Sequence, residues 1–92
     1  MNCEVIRKIS ETEREIWHFS LYTSYVNPIL WLDSFSVQSK QPKQRKWRTM
    51  LHWNRIDKRN NTIQESPLPD DVIQEAKVLI KNQIDALPVT VN

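Results

Sequence analysis

Glycine is absent from the 92 residues of the chain, whereas an average usage of about 7% would supply roughly six. Its absence excludes whole classes of site. Phosphate-binding P-loops, GxGxxG dinucleotide-binding turns and GxSxG nucleophile elbows all need glycine where backbone approaches a ligand or adopts a strained dihedral. None of these three kinds of site can exist in this chain.

Cysteine and long apolar runs are almost as scarce. Cys3 is the single cysteine, so no intramolecular disulfide can form, a pattern typical of a reducing compartment. The longest apolar run, residues 29–32, is far too short to cross a membrane, and the charged N-terminal segment does not resemble a signal peptide. We therefore expect a cytoplasmic protein without a membrane partner.

The residues that carry chemistry are few and scattered. Cys3, His18 and His52 have no spacing known for a nucleophile and its base, and they are too few for a structural zinc site, which needs about four ligands. The carboxylates fit a polar turn (Glu11, Glu13, Glu15) and a helix start (Asp70, Asp71). We expect a non-enzymatic protein that uses no cofactor and no metal.

Length and periodicity together predict the fold. A chain of 92 residues with 39% hydrophobic residues can bury one core, so we expect a single domain, 1–92. Apolar residues at a period of two predict four strands within 3–57, joined by short connections that favour an antiparallel meander. These strands are predicted over residues 3–9, 14–25, 29–37 and 47–56.

Alternation also predicts which side chains share a sheet face. In the second strand, one face carries Trp17, Phe19, Leu21 and Tyr25, and the other carries His18, Ser20 and Tyr22. In the third, one face carries Ile29, Trp31, Phe35 and Val37, and the other carries Leu30 and Leu32. In the fourth, Trp47, Thr49, Leu51 and Trp53 are predicted to oppose Arg48, Met50, His52, Asn54 and Ile56. This interpretation places Trp47 and Trp53 toward the core.

A change of period to 3.6 predicts one helix over 68–87. Its apolar stripe contains Val72, Ile73, Ala76, Leu79, Ile80, Ile84 and Leu87. Pro69 suits the first turn, Asp70 and Asp71 complement the helix N-terminus, and Pro88 ends the helix. The predicted fold class is α+β: a four-stranded antiparallel meander followed by one C-terminal amphipathic helix packed on one sheet face, ββββα in two layers.

Positive charge is concentrated in residues 40–59. This segment holds eight basic side chains against a single acidic one, Asp57, while the rest of the chain holds five basic and ten acidic residues. Cations at both ends of the fourth strand could steer association with an acidic protein surface or neutralise the phosphates of a nucleic acid. A solvated, solubilising loop is the plain alternative.

We therefore expect a small binding module, an accessory or inhibitory protein that binds an acidic protein partner. The alternative is a nucleic-acid-binding domain that contacts phosphates through 40–59. Nothing in the residues forbids a homodimer through an exposed edge strand. The candidate contact residues are the same for both partners: Lys43, Arg45, Lys46, Arg48, His52, Asn54, Arg55, Lys58 and Arg59.

Overall fold

The computed structural model describes residues 2–22, 28–65, 67–83 and 90–92. The predicted four-stranded antiparallel meander with a C-terminal helix packed on one face is confirmed. Predicted features at Tyr25, Ile84, Leu87 and Pro88 lie outside the described residues. The elements are β1 Asn2–Lys8, β2 Glu13–Tyr22, β3 Ile29–Ser39, β4 Arg48–Asn54, β5 Ile56–Asp57, β6 Thr62–Ile63, α1 Asp70–Gln83 and β7 Thr90–Val91.

The main sheet follows chain order, β1-β2-β3-β4, and each neighbouring pair is antiparallel. β7 adds a short parallel pairing to the start of β3, on the side that β4 occupies further along. β5 and β6 form a separate two-stranded hairpin, so the predicted fourth strand, 47–56, is divided between β4 and the start of this hairpin. The left-handed turn residue of this hairpin is Asn61, with φ 52°, since asparagine is one of the few residues other than glycine that tolerate this conformation.

The core lies between α1 and one face of the sheet. Trp17, Phe19 and Leu21 in β2 are buried as their alternation predicted, and the Trp17 and Phe35 rings stack with centroids 4.5 Å apart. Burying each large apolar side chain stabilises the fold by about 1.5–3 kcal/mol. The buried cluster consists of Cys3, Val5, Trp17, Phe19, Leu21, Leu30, Leu32, Val72, Ala76 and Ile80.

A β-bulge in β3 changes the predicted faces of that strand. His18 lies opposite Ser34, but Phe19 lies opposite Leu32, so Asp33 is an extra residue in the ladder. Leu30 and Leu32 consequently share the helix-facing side with Phe35 and Val37. The prediction that Leu30 and Leu32 lie on the face opposite Phe35 and Val37 was wrong. The Asp33 carboxylate accepts a hydrogen bond from the Ser20 hydroxyl.

Helix α1 begins at Asp70, two residues after the predicted start. The carbonyl of Pro69 accepts the first helical hydrogen bond from the Ile73 amide, at 3.1 Å. Arg7 of β1 donates to the Asp71 carboxylate at 2.6 Å, which ties the first turn to the sheet. Within the described residues, no helix is long and apolar enough to cross a membrane.

Candidate binding surface

The sheet face opposite α1, called here the open face, carries polar side chains in rows that run across β2, β3 and β4. Arg14 Nε donates to Gln38 Oε1 at 2.7 Å, and Gln38 Nε2 donates to Thr49 Oγ1 at 3.4 Å. A second row joins β3 to His52, whose Nδ1 lies 2.8 Å from Ser36 Oγ and whose Nε2 lies 3.1 Å from Asn54 Oδ1. These contacts link polar side chains of neighbouring strands on a sheet face that α1 does not cover.

A second β-bulge, at Met50, determines which β4 residues reach the open face. Val37 lies opposite Leu51, but Gln38 lies opposite Thr49, so Met50 is the extra residue. Thr49 therefore joins His52 and Asn54 on the open face, while Arg48 lies opposite Ser39 on the other side. The prediction that Arg48 shares a face with His52 was wrong because it assumed unbroken alternation.

The same bulge brings Trp47 to the open face, where it meets two cations. The Arg14 guanidinium carbon lies 4.2 Å from the centroid of the indole ring, and Lys40 Nζ lies 5.1 Å from it. Both distances are within the range of a cation–π attraction. The prediction that Trp47 and Trp53 share a core-facing side is thus half correct, since Trp53 packs near Phe35 on the helix side.

Arg55 is the one candidate contact residue that is buried, with 7% of its surface exposed. Its Nε donates to Leu32 O at 2.6 Å and its Nη2 donates to Asn92 O at 2.8 Å, so the guanidinium bridges β3 and the residue after β7. It also lies 4.0 Å from the centroid of the Trp31 ring. Burial lowers the pKa of Arg55, and the nearby Asp33 charge opposes that shift. Arg55 was expected among the exposed contact residues, whereas the structure buries it and its Nε and Nη2 donate to interior carbonyls.

The six remaining cations of the candidate set are all exposed and lie at or beyond the two ends of β4. β4 itself spans seven residues, or about 20 Å, and Lys58 and Arg59 line a shallow pocket with His52 and Asn54 at its C-terminal half. Among the residues that the structure describes, none of the six forms an ion pair. We call them the basic surface: Lys43, Arg45, Lys46 and Arg48 at one end, and Lys58 and Arg59 at the other.

Exposed apolar side chains lie between these two groups of cations. Met50, the bulge residue, has 66% of its surface exposed, and its neighbour Leu51 is also exposed. In the adjoining hairpin, Ile56 and Ile63 are exposed as well. A mixture of accessible apolar and cationic side chains is suited to recognition of a macromolecular surface.

The chemistry available elsewhere in the described chain is limited. No cluster of three or more His, Cys, Asp or Glu side chains in the described ranges could hold a metal ion. The Cys3 thiol is buried, and burial raises its pKa, which disfavours the reactive thiolate. The open-face hydrogen-bonding side chains of Arg14, Ser36 and Gln38, of which Ser36 is buried, were not singled out from the sequence. Their signal was the polar alternation along the second and third strands.

Comparison of the chain with protein-family models, with curated proteins and with solved structures found no match. The physical properties of the basic surface and the open face therefore carry the functional argument.

Proposed function

We propose that the chain is a small non-enzymatic binding module that attaches to an acidic protein surface, as an accessory or inhibitory subunit does. The observation that carries this proposal is the basic surface: six exposed cations without ion pairs in the described residues, on both sides of exposed Met50 and Leu51. Cations accelerate encounter with an acidic partner, and accessible apolar side chains contribute affinity once the surfaces meet.

The aromatic side chains favour a protein partner over a nucleic acid. Sequence-tolerant nucleic-acid binders stack bases on accessible ring faces. Trp31 lies opposite Ser20 and so shares the open face with Trp47. Both indole rings already carry cations, since Arg14 lies over Trp47 and Arg55 lies over Trp31. A base could stack on either indole only by displacing a guanidinium or by using the opposite ring face. The cations therefore support charge-based protein recognition better than base stacking.

The experiment is a capture of partners from the native extract by the tagged chain and by two matched charge variants. Lys46→Glu/Arg48→Glu reverses two charges on the basic surface, and Lys77→Glu/Lys81→Glu reverses two exposed charges on α1. We expect an acidic protein to be retained by the wild type and by the α1 variant, and to be lost by the basic-surface variant. Equal retention by both variants would contradict the proposal.

A nucleic-acid arm separates the alternative from the proposal. Labelled single- and double-stranded DNA and RNA are titrated at low and moderate salt. If the six cations neutralised phosphates, log affinity would fall against log salt with a slope of about −5. Such a slope, together with loss of the captured material after nuclease treatment, would replace the protein partner by a nucleic acid.

A further inference from the structure

Strand β1 forms one edge of the main sheet, and within the described residues no strand pairs with its outer side. The Ile9 amide donates to Glu13 O at 3.0 Å at the end of the β1–β2 ladder. Because hydrogen-bonding direction alternates along an antiparallel strand, the odd residues of β1 bond to β2 and the even residues direct their N–H and C=O groups outward. Glu4, Ile6 and Lys8 therefore present backbone groups at this edge that are unpaired within the described chain.

The side chains of these outward residues form a self-complementary series: acidic, apolar, basic. A two-fold axis at Ile6 would place Ile6 opposite its own copy and Glu4 opposite Lys8 on both sides. A shift of the axis by two residues would instead oppose Glu4 to Glu4 or Lys8 to Lys8. A shift by one residue would oppose Ile6 to a charge. One register therefore satisfies both the charges and the apolar contact.

The current contacts of these side chains do not prevent that pairing. Glu4 Oε2 lies 3.2 Å from His18 Nδ1, and Lys8 Nζ lies 3.3 Å from Glu11 Oε1. Both pairs are exposed, and exposed pairs of this kind contribute little to stability. Replacing them by cross-strand pairs would cost the fold little.

An apolar groove follows the same edge, between β1 and α1. Val78 of the helix, with 59% of its surface exposed, and partly buried Leu79 line the groove, and Val5 and Ile6 line it from the edge of β1. An added strand would cover this apolar surface while it satisfies the backbone groups of the edge. Burial of apolar surface and backbone hydrogen bonding thus both favour an added strand beside β1.

The opposite edge of the sheet is unsuitable for a second copy. β4 carries the bulge at Met50, which interrupts regular pairing. An antiparallel copy would also bring the cations before β4 toward Lys58 and Arg59 after it, and like charges repel. Of these two edges, the β1 edge is the regular and self-complementary one.

We propose that a second copy of this chain binds along β1, antiparallel and in the Ile6-to-Ile6 register, so that two sheets become one continuous sheet. This homodimer goes beyond the proposed attachment to an acidic protein and does not depend on it. The three hydrogen-bonded residue pairs of this register would contribute about six backbone hydrogen bonds.

Sedimentation equilibrium over a range of concentrations tests this proposal with complementary charge variants. Glu4→Lys would place two lysines opposite each other across the axis, and Lys8→Glu would place two glutamates opposite each other. Each variant alone should therefore dimerise about tenfold more weakly or worse. An equimolar mixture restores opposite charges at every position and should form heterodimers. Glu65→Lys, an exposed reversal of charge that follows β6 and lies outside the basic surface and β1, serves as the control.

The wild type is expected to reach twice its 11.0 kDa mass. A wild type that stays monomeric at every concentration would overturn the proposal, and so would a dimer that neither single variant weakens. A mixture that remains monomeric would overturn the stated register. Circular dichroism of each variant shows whether the fold is intact, and Ile6→Lys supplies a second disruption of the edge if either charge variant fails to fold.

Discussion

Arg55 allows the sharpest prediction about stability, because its guanidinium occupies the gap between β4 and β7 along the edge of β3. Leu32 directs both backbone groups into this gap: its amide donates to Asn92 O at 2.8 Å, and its carbonyl accepts from Arg55 Nε at 2.6 Å. Replacement of Arg55 by methionine would remove the charge and keep much of the volume. The Leu32 carbonyl would lose its hydrogen bond from the guanidinium, whereas Asn92 O would keep its hydrogen bond from the Leu32 amide.

The expected cost follows from these contacts. A buried carbonyl left without a partner costs about 1–3 kcal/mol, and loss of the cation from a desolvated aromatic ring costs about 0.5–2 kcal/mol. Removal of the buried charge also removes its desolvation penalty, which offsets part of this loss of stability. We expect Arg55→Met to lower the free energy of unfolding by about 2–4 kcal/mol. This is a large fraction of the roughly 5–15 kcal/mol that stabilises a typical domain.

Urea unfolding followed by tryptophan fluorescence measures this loss, with two comparison variants. Arg55→Lys keeps the charge but lacks the planar fork that reaches both carbonyls, so it should retain only part of the stability. Lys58→Met changes an exposed cation close by and should shift the free energy of unfolding by no more than about 0.5 kcal/mol. Equal stability of the Arg55→Met and Lys58→Met variants would refute the bridging role of the guanidinium.

Three further predictions concern the core and the open face. Burial raises the pKa of Cys3 in the folded state. The neutral thiol therefore adds stability below its ordinary pKa of about 8.5, and this stability is lost as pH rises through the folded-state pKa. In urea unfolding across this pH range, Cys3→Val should lose less of its free energy of unfolding at alkaline pH than the wild type does. Trp47→Leu should cost about 1 kcal/mol, because its cation contacts lie near the surface; a cost above about 3 kcal/mol in urea unfolding would contradict this location. Trp17→Leu should cost about 3 kcal/mol or more in the same assay, because the ring is buried and stacked on Phe35; equal costs for the two tryptophans would refute the assigned faces.

The sequence was sufficient for the parts of the fold in which side-chain periodicity is regular. The alternation of Trp17, Phe19 and Leu21 identified β2 and its buried face, and the stripe through Val72, Ala76 and Ile80 identified α1. In both elements, one side packs against the core and the other faces solvent, so the residue types indicate the burial pattern directly.

Regular alternation failed at the two bulges. Each inserts one residue, Asp33 or Met50, and inverts the face of every residue on one side of it. Glycine, a common marker of a bulge, is absent from this chain, and neither aspartate nor methionine marks one by its type. The faces of Leu30, Leu32 and Trp47 could therefore not be derived without the pairing register.

Arg55 could not be recognised as an interior residue for a different reason. Its acceptors belong to Leu32 and Asn92, which lie 23 and 37 positions away in the chain. Basic residues in a polar, cation-rich stretch are ordinarily solvated, and the gap that this guanidinium fills exists only once β3, β4 and β7 are assembled. The exposure of the six cations of the basic surface could be expected from the sequence, because basic residues in a polar stretch are ordinarily solvated.

The unlike edges of the sheet also determine how far assembly through strands could proceed. If two chains join along β1, the regular edge of each is consumed, and both ends of the joined sheet are β4 strands, with their bulges and neighbouring cations. Among the strands that the structure describes, a third chain would find at these ends only the bulged β4 and the two-residue β7. Assembly would therefore be finite, closing at two copies instead of growing into a fibre, and each pair would present its two basic surfaces at opposite ends, spaced to engage two acidic sites at once.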